Sequence, residues 1–223
     1  MRRTVEIHPA TGLRLLAMLA LAFAARAAAA DSLVAPAYRL AADDPAWFEF
    51  GGALRQQPSV TADFTELRYF SFARTPVALK GEVRVSADHG LSLHYLEPED
   101  QIVISDRQGV LVRTAKGERS PPSDPQAAAA NLALLSVLRL DLSPLAEKFE
   151  LYGRRTGPTW ALALVPRSDE LRRALGQITV EGEAASVHRI EFRRSLTQRV
   201  EILVEPPRSL GVFGAEELRR FFR

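Results

Sequence analysis

From residue 59 onward the chain alternates apolar and polar positions with a period of two. The pattern is clearest over residues 77–86, where Val77, Leu79, Val83 and Val85 fall on one face of an extended strand. Lys80, Glu82, Arg84 and Ser86 fall on the other. Asp88-His89-Gly90 is a turn signal, and Leu91, Leu93 and Tyr95 resume the alternation beyond it. This spacing predicts a hairpin of an antiparallel sheet wet on one side only. Further strands are predicted at 60–70, 101–105, 109–115, 149–154, 159–165, 177–182, 187–196 and 199–205. Many short alternating strands with regular turns predict a barrel or a strongly curved sheet.

Two segments depart from this period. Asp44-Pro45 reads as an N-cap followed by proline at the first helical position. Trp47, Phe48, Ala53 and Leu54 then give a helix an apolar side, which ends before Pro58. Ser123-Asp124-Pro125 starts a second helix running over 127–140, and Ser143-Pro144 marks a further start. Between Ala127 and Leu138 only Asn131 and Ser136 are polar. A helix apolar nearly all round must be covered on more than one side, either as a lid or plug over a concave sheet or as an ordinary core helix.

The first thirty residues stand apart from the fold. Arg2 and Arg3 precede a mostly apolar stretch from Leu13 to Ala25, which leads into Ala27-Ala28-Ala29-Ala30 before Asp31. A charged start, a short apolar run and small residues at the end are the anatomy of a secretory signal peptide. Residues 31–223 then suit one domain with a sizeable core. The leader holds four arginines against Glu6, so its removal takes the formal charge from +2 to −1. A nucleic-acid-binding domain would carry a basic excess, and none remains.

The chain has no cysteine, which excludes disulfides, thiol nucleophiles, thiolate metal sites and lipidation at a cysteine. The expected product is free in the periplasm as a monomer. His89, His94 and His188 are not at metal-ligand spacing, and neither a Gly-x-Ser-x-Gly elbow nor a Gly-rich phosphate loop is present. Asp63 and Glu66, three apart on a strand, face opposite sides of the sheet and read as solvated carboxylates instead of an acid–base pair. No catalytic machinery and no cofactor are expected.

One ordered set of phrases carries a family resemblance. It runs Val60-Thr61-Ala62-Asp63-Phe64-Thr65-Glu66, then Gly81-Glu82-Val83-Arg84-Val85, then Leu93-His94-Tyr95-Leu96-Glu97-Pro98, and ends Gln101-Ile102-Val103-Ile104-Ser105-Asp106. In order and spacing this resembles the LolA family of periplasmic lipoprotein carriers, with weaker matches at 190–192 and 215–222. The resemblance implies a mainly β protein with helices, an α+β fold built as an unclosed, strongly curved antiparallel β-barrel with a helical lid or plug over an apolar cavity. It also implies a donor complex in the inner membrane and an acceptor at the outer membrane. Lipoprotein carriers have an Arg-Pro pair after the Gly-x-Leu/Val strand, the arginine closing the lid; here those positions are Ala87-Asp88, and Leu91 stands where an aromatic residue is expected.

The expected function is a periplasmic carrier that shields the acyl chains of a lipoprotein or other lipid during transfer to the outer membrane. The alternative on the same fold is a cell-envelope assembly or interaction factor that transports no lipid. The residues expected to line the cavity are Phe64, Val83, Val85, Leu91, Leu93, Tyr95, Ile102, Ile104, Leu132, Leu135, Ile190 and Phe192. Their one-sided alternation says that they are buried; whether against ligand or packed core is open.

Overall fold

A computed structural model describes residues 33–41, 43–55, 59–121, 135–137 and 142–223. The expected signal peptide and its cleavage near Ala30 lie outside the described residues. So do most of the expected helix over 127–140 and, with it, Leu132; residues 135–137 are helical.

The thirteen strands among the described residues join one antiparallel sheet. They are β1 (Arg39–Leu40), β2 (Ser59–Tyr69), β3 (Val77–Ser86), β4 (Gly90–Glu97), β5 (Gln101–Asp106), β6 (Gly109–Thr114) and β7 (Gly117–Arg119). After a long connection follow β8 (Phe149–Thr156), β9 (Thr159–Pro166), β10 (Gln177–Glu183), β11 (Ser186–Arg193), β12 (Arg199–Val204) and β13 (Ser209–Gly211). The order across the sheet is β1-β8-β9-β10-β11-β12-β2-β3-β4-β5-β6-β7, with β13 beside the start of β2. Among the described residues β1 and β7 pair on one edge only, so the curved sheet is an unclosed barrel. Each principal strand lies within a few residues of its predicted position.

The register sorts side chains cleanly onto two faces. Residues opposite each other in an antiparallel pair share a face. Phe64 lies opposite Gly81, Gly81 opposite Tyr95, Val83 opposite Leu93 and Val85 opposite Leu91. On the other half, Leu151 meets Leu164, Leu164 meets Ile178, Ile178 meets Phe192, and Phe192 meets Val200. These form the inner face. Gly81 is fixed there by space: a Cβ on it would come within 2.2 Å of the His94 carbonyl oxygen and 2.9 Å of the Phe64 ring.

Besides residues 135–137, the α-helices among the described residues are α1 (Pro45–Arg55), α2 (Leu142–Lys148), α3 (Asp169–Leu175) and α4 (Ala215–Phe221). The Asp44 carboxylate accepts the Trp47 amide at 3.1 Å, the N-cap that the sequence predicts. Trp47 and Phe50 sit edge to face at 5.8 Å, and Phe50 reaches Trp160 of β9 at 5.6 Å. Room for Trp47 comes from Gly153, where a Cβ would lie 2.4 Å from the indole. Leu142 and Leu145 of α2 and Val137 join the same inner core.

The outer face departs from the sequence expectation of a wet side. Phe213, Phe221 and Phe222 of the C-terminal segment pack on Ile102, Ile104 and Leu111, making a second apolar cluster. Leu33, Tyr152 and Ala163 make a third under the N-terminal residues. Polar residues are buried with them: Arg84 lies 3.5 Å from the Phe221 ring centroid, and His94 packs on Phe221 while its Nε2 lies 2.8 Å from Asp100. Polarity in the pattern therefore marks the outer face without marking it as solvated.

Candidate functional site

The inner face is the largest continuous apolar surface of the sheet. Its cluster runs from Phe149 and Leu151 on β8 through Trp160, Leu162, Ile178, Val180 and Ile190 to Phe64, Val83, Leu91 and Tyr95. Coverage is uneven across it. Toward β8–β10 the side chains are fully buried, Leu162, Leu164 and Val180 at 0% exposure, beneath a side that carries α1 and α2. Across β11, β12 and β3–β5, Phe192, Val200, Val204, Val85, Leu93 and Val103 are only half-buried although they pack against the same cluster. The sheet thus has a packed half and a partly open apolar half.

The structure divides the twelve expected cavity residues. Phe64, Val83, Leu91, Tyr95 and Ile190 are buried in the inner cluster, and Val85, Leu93, Leu135 and Phe192 pack half-buried against it. Leu132 lies outside the described residues. Ile102 and Ile104 are corrected to the outer face, beneath α4. Val103 lies opposite Leu93 and Val112, so it is the inward residue of β5. Residues 102–104 read Ile-Val-Ile because both faces of this strand are covered, and a period-two argument has nothing to choose between them. Ala87, at the place of the expected latch arginine, is exposed in the turn between β3 and β4.

A polar group interrupts the apolar surface. Glu66, 4% exposed, lies on the inner face two residues from Phe64. Its Oε2 accepts the Tyr95 hydroxyl at 2.6 Å, and its Oε1 accepts Arg68 Nε at 2.5 Å. Burial, then the Glu66 charge and hydrogen bond, push the Tyr95 hydroxyl far above its ordinary pKa, so it stays a donor at any physiological pH. Burial acts against the Arg68 charge, but the Glu66 hydrogen bond and charge outweigh it and hold the guanidinium above its usual value. Glu66 is therefore not a solvated carboxylate. The signal was in the spacing: position 66 shares the parity of Phe64, and so does Arg68.

On the outer face of β10–β12 a second polar network closes on itself. Arg189, 8% exposed, donates to Glu201 at 2.7 Å, to Glu181 at 3.3 Å and to Glu191. Tyr69 donates to the other Glu201 oxygen at 3.1 Å. Burial tends to raise the Glu201 pKa, but the Arg189 hydrogen bond and charge bring it below the ordinary glutamate value. Every strong group here has a partner of opposite charge, which marks a structural role. Among the described residues no group of three histidine or carboxylate side chains is placed to hold a metal ion.

Solved structures similar to this chain are distant in sequence. The complex structure of MucA and MucB from Pseudomonas aeruginosa matches at 16% identity, covering 78% of this chain and 59% of that chain, with a TM-score of 0.45. A LolA superfamily protein from Nitrosomonas europaea matches at 8% identity over 80% of this chain and 96% of its own, with a TM-score of 0.39. A DUF1329 family protein from Desulfovibrio piger matches at 8% identity over 78% and 95%, with a TM-score of 0.43. This chain spans about three-fifths of the length of the first of these matches. No family model matches the chain, and a search of curated proteins by sequence finds no match.

Proposed function

We propose that this protein is a periplasmic carrier that holds the acyl chains of a lipoprotein or other lipid against the inner face of its open barrel. The observation that carries the reading is the uneven coverage of one apolar cluster. Phe192, Val200 and Val204 on one side and Val85, Leu93 and Val103 on the other are only half-buried, while Leu162, Leu164 and Val180 on β9 and β10 are fully buried. Each methylene buried there contributes about 0.8 kcal/mol. A 16-carbon chain left in water would cost on the order of 10 kcal/mol, so a carrier must offer a surface of this kind and still release it. The ordered phrases from Phe64 to Asp106 that resemble lipoprotein carriers support the same reading. Export by residues 1–30, a single folded domain over 31–223, uptake from an inner-membrane donor and delivery to an outer-membrane acceptor belong to this proposal.

Titration with a fluorescent fatty acid tests it. Leu93→Asp and Val200→Asp put a charge on the half-open inner surface and should each weaken binding at least about tenfold, the equivalent of 1.4 kcal/mol. Thr65→Asp, on the outward side of β2, should leave it unchanged. Equal binding by all three variants, or none by the parent protein, would overturn the carrier reading and leave the assembly factor standing.

A further inference from the structure

One end of the barrel combines charge and exposed apolar side chains in a way that the inner face does not explain. The β2–β3 loop, the β11–β12 turn and α3 all lie at the end where β2 finishes and β12 begins, since Arg199 lies opposite Tyr69. Phe72 at the first of these is 85% exposed, stacked on Phe70 at 5.3 Å, and Leu196 at the second is 73% exposed. Strands β12 and β2 are neighbours, so these two apolar tips stand on adjoining loops.

Beside them, α3 and the β11–β12 turn enclose a cleft of about 390 Å³ lined by Asp169, Arg172, Arg173, Arg194 and Gln198. Three arginines against one aspartate leave two positive charges in net. Arg172 is held by Asp169 at 2.5 Å and by the Pro166 carbonyl at 3.1 Å. The guanidinium groups of Arg173 and Arg194 have no such partner among the described residues.

We infer that this end docks on an anionic lipid surface, with Phe72 and Leu196 entering the headgroup region and Arg173 and Arg194 meeting lipid phosphates. Apolar tips that stand out from the surface suit a bilayer interface, where the boundary between headgroup and acyl chain receives them. An acidic peptide would be gripped by the arginines but would leave Phe72 and Leu196 in water. Positive charge beside the tips adds attraction to anionic lipid, about fivefold in affinity for each arginine near the surface. The inference does not depend on what the inner face binds.

Sedimentation with vesicles tests it. The purified protein should bind vesicles containing phosphatidylglycerol and should bind pure phosphatidylcholine weakly, the difference shrinking in high salt. Arg173→Gln with Arg194→Gln should lower binding about twenty-fivefold together, from the fivefold for each. Phe72→Ser should lower it too, while fatty-acid titration of all these variants stays at the parent value. In Phe72→Trp the added fluorescence should shift to the blue on vesicles. Binding indifferent to lipid charge, or unchanged in the arginine and Phe72 variants, would overturn the inference. So would tight binding of polyglutamate in the absence of vesicles, or self-association lost on Phe72→Ser, which would mark a peptide or a second copy as the occupant.

Discussion

Tyr95→Phe tests the polar group of the inner face with little else disturbed. The Tyr95 ring packs edge to face on Phe64 at 5.2 Å, and phenylalanine keeps that contact. What disappears is one hydroxyl donating at 2.6 Å to the Glu66 carboxylate, with Tyr95 only 6% and Glu66 only 4% exposed. A hydrogen bond to a charged group contributes about 1.5–3 kcal/mol, and Glu66 would then rely on Arg68 alone. Arg68 is 42% exposed along its side chain, so water screens that pair and replaces little of the loss. Urea unfolding followed through Trp47 and Trp160, both buried in the inner core, should show a midpoint lowered by that free energy divided by the slope, with the slope unchanged. The same change in a Glu66→Leu background should be neutral or stabilising, because there the hydroxyl has already lost its acceptor. A cost below about 0.5 kcal/mol in the parent, or an equal cost in both backgrounds, would refute the argument.

Three further outcomes follow from other parts of the fold. Leu135 packs half-buried on the inner cluster, so Leu135→Asp should leave the far-ultraviolet circular dichroism intact while fatty-acid affinity falls about tenfold or more; loss of both together would make it ordinary core. Gly81→Ala should cost at least about 1–3 kcal/mol by denaturant unfolding, because the new methyl meets the His94 carbonyl; a neutral result would contradict the register between β3 and β4. Arg223 donates to both Asp106 oxygens at 2.6 and 2.7 Å, and that hydrogen bonding holds the Asp106 carboxyl below the ordinary aspartate range. The contribution is therefore complete above the unfolded value of about 3.9 and fades as pH falls through the lower folded value. Protection of the amides over 215–222, relative to their intrinsic exchange rate at each pH, should fall in that acid range, and Asp106→Asn should lower it already at neutral pH; protection indifferent to both would show that the pair does not anchor α4.

The strands were legible because each puts apolar residues at alternate positions over a buried face. β3 illustrates this: Val77, Leu79, Val83 and Val85 share one face with Gly81 between them, and the observed strand is Val77–Ser86. Helix α1 was legible from Asp44-Pro45, whose cap is formed as read. What period two does not give is the far side of the sheet. Arg84 and His94 look solvated in the pattern, yet Phe221 lies over both, and only a contact between residues more than a hundred positions apart reveals it. The same cover explains why Ile102 and Ile104 were placed inward when Val103 is the inward residue. Helix α3 was missed although its signals are local: Ser168 caps the Leu171 amide, with Asp169 and Glu170 in the first turn. At seven residues it is too short for a helical apolar period to stand out between two strands. Glu66 is the instructive case, since polarity suggested solvent while parity with Phe64 put it inside.

The carrier reading stands most directly on what the protein holds when it leaves the cell envelope. Native mass spectrometry of protein purified gently from the periplasmic fraction, followed by lipid extraction, measures this in one sample. Bound acyl lipid should appear at near-stoichiometric level, and it should be depleted in Leu93→Asp but retained in Thr65→Asp. Protein recovered free of lipid, and unable to take up fatty acid afterwards, would contradict an acyl-binding inner face.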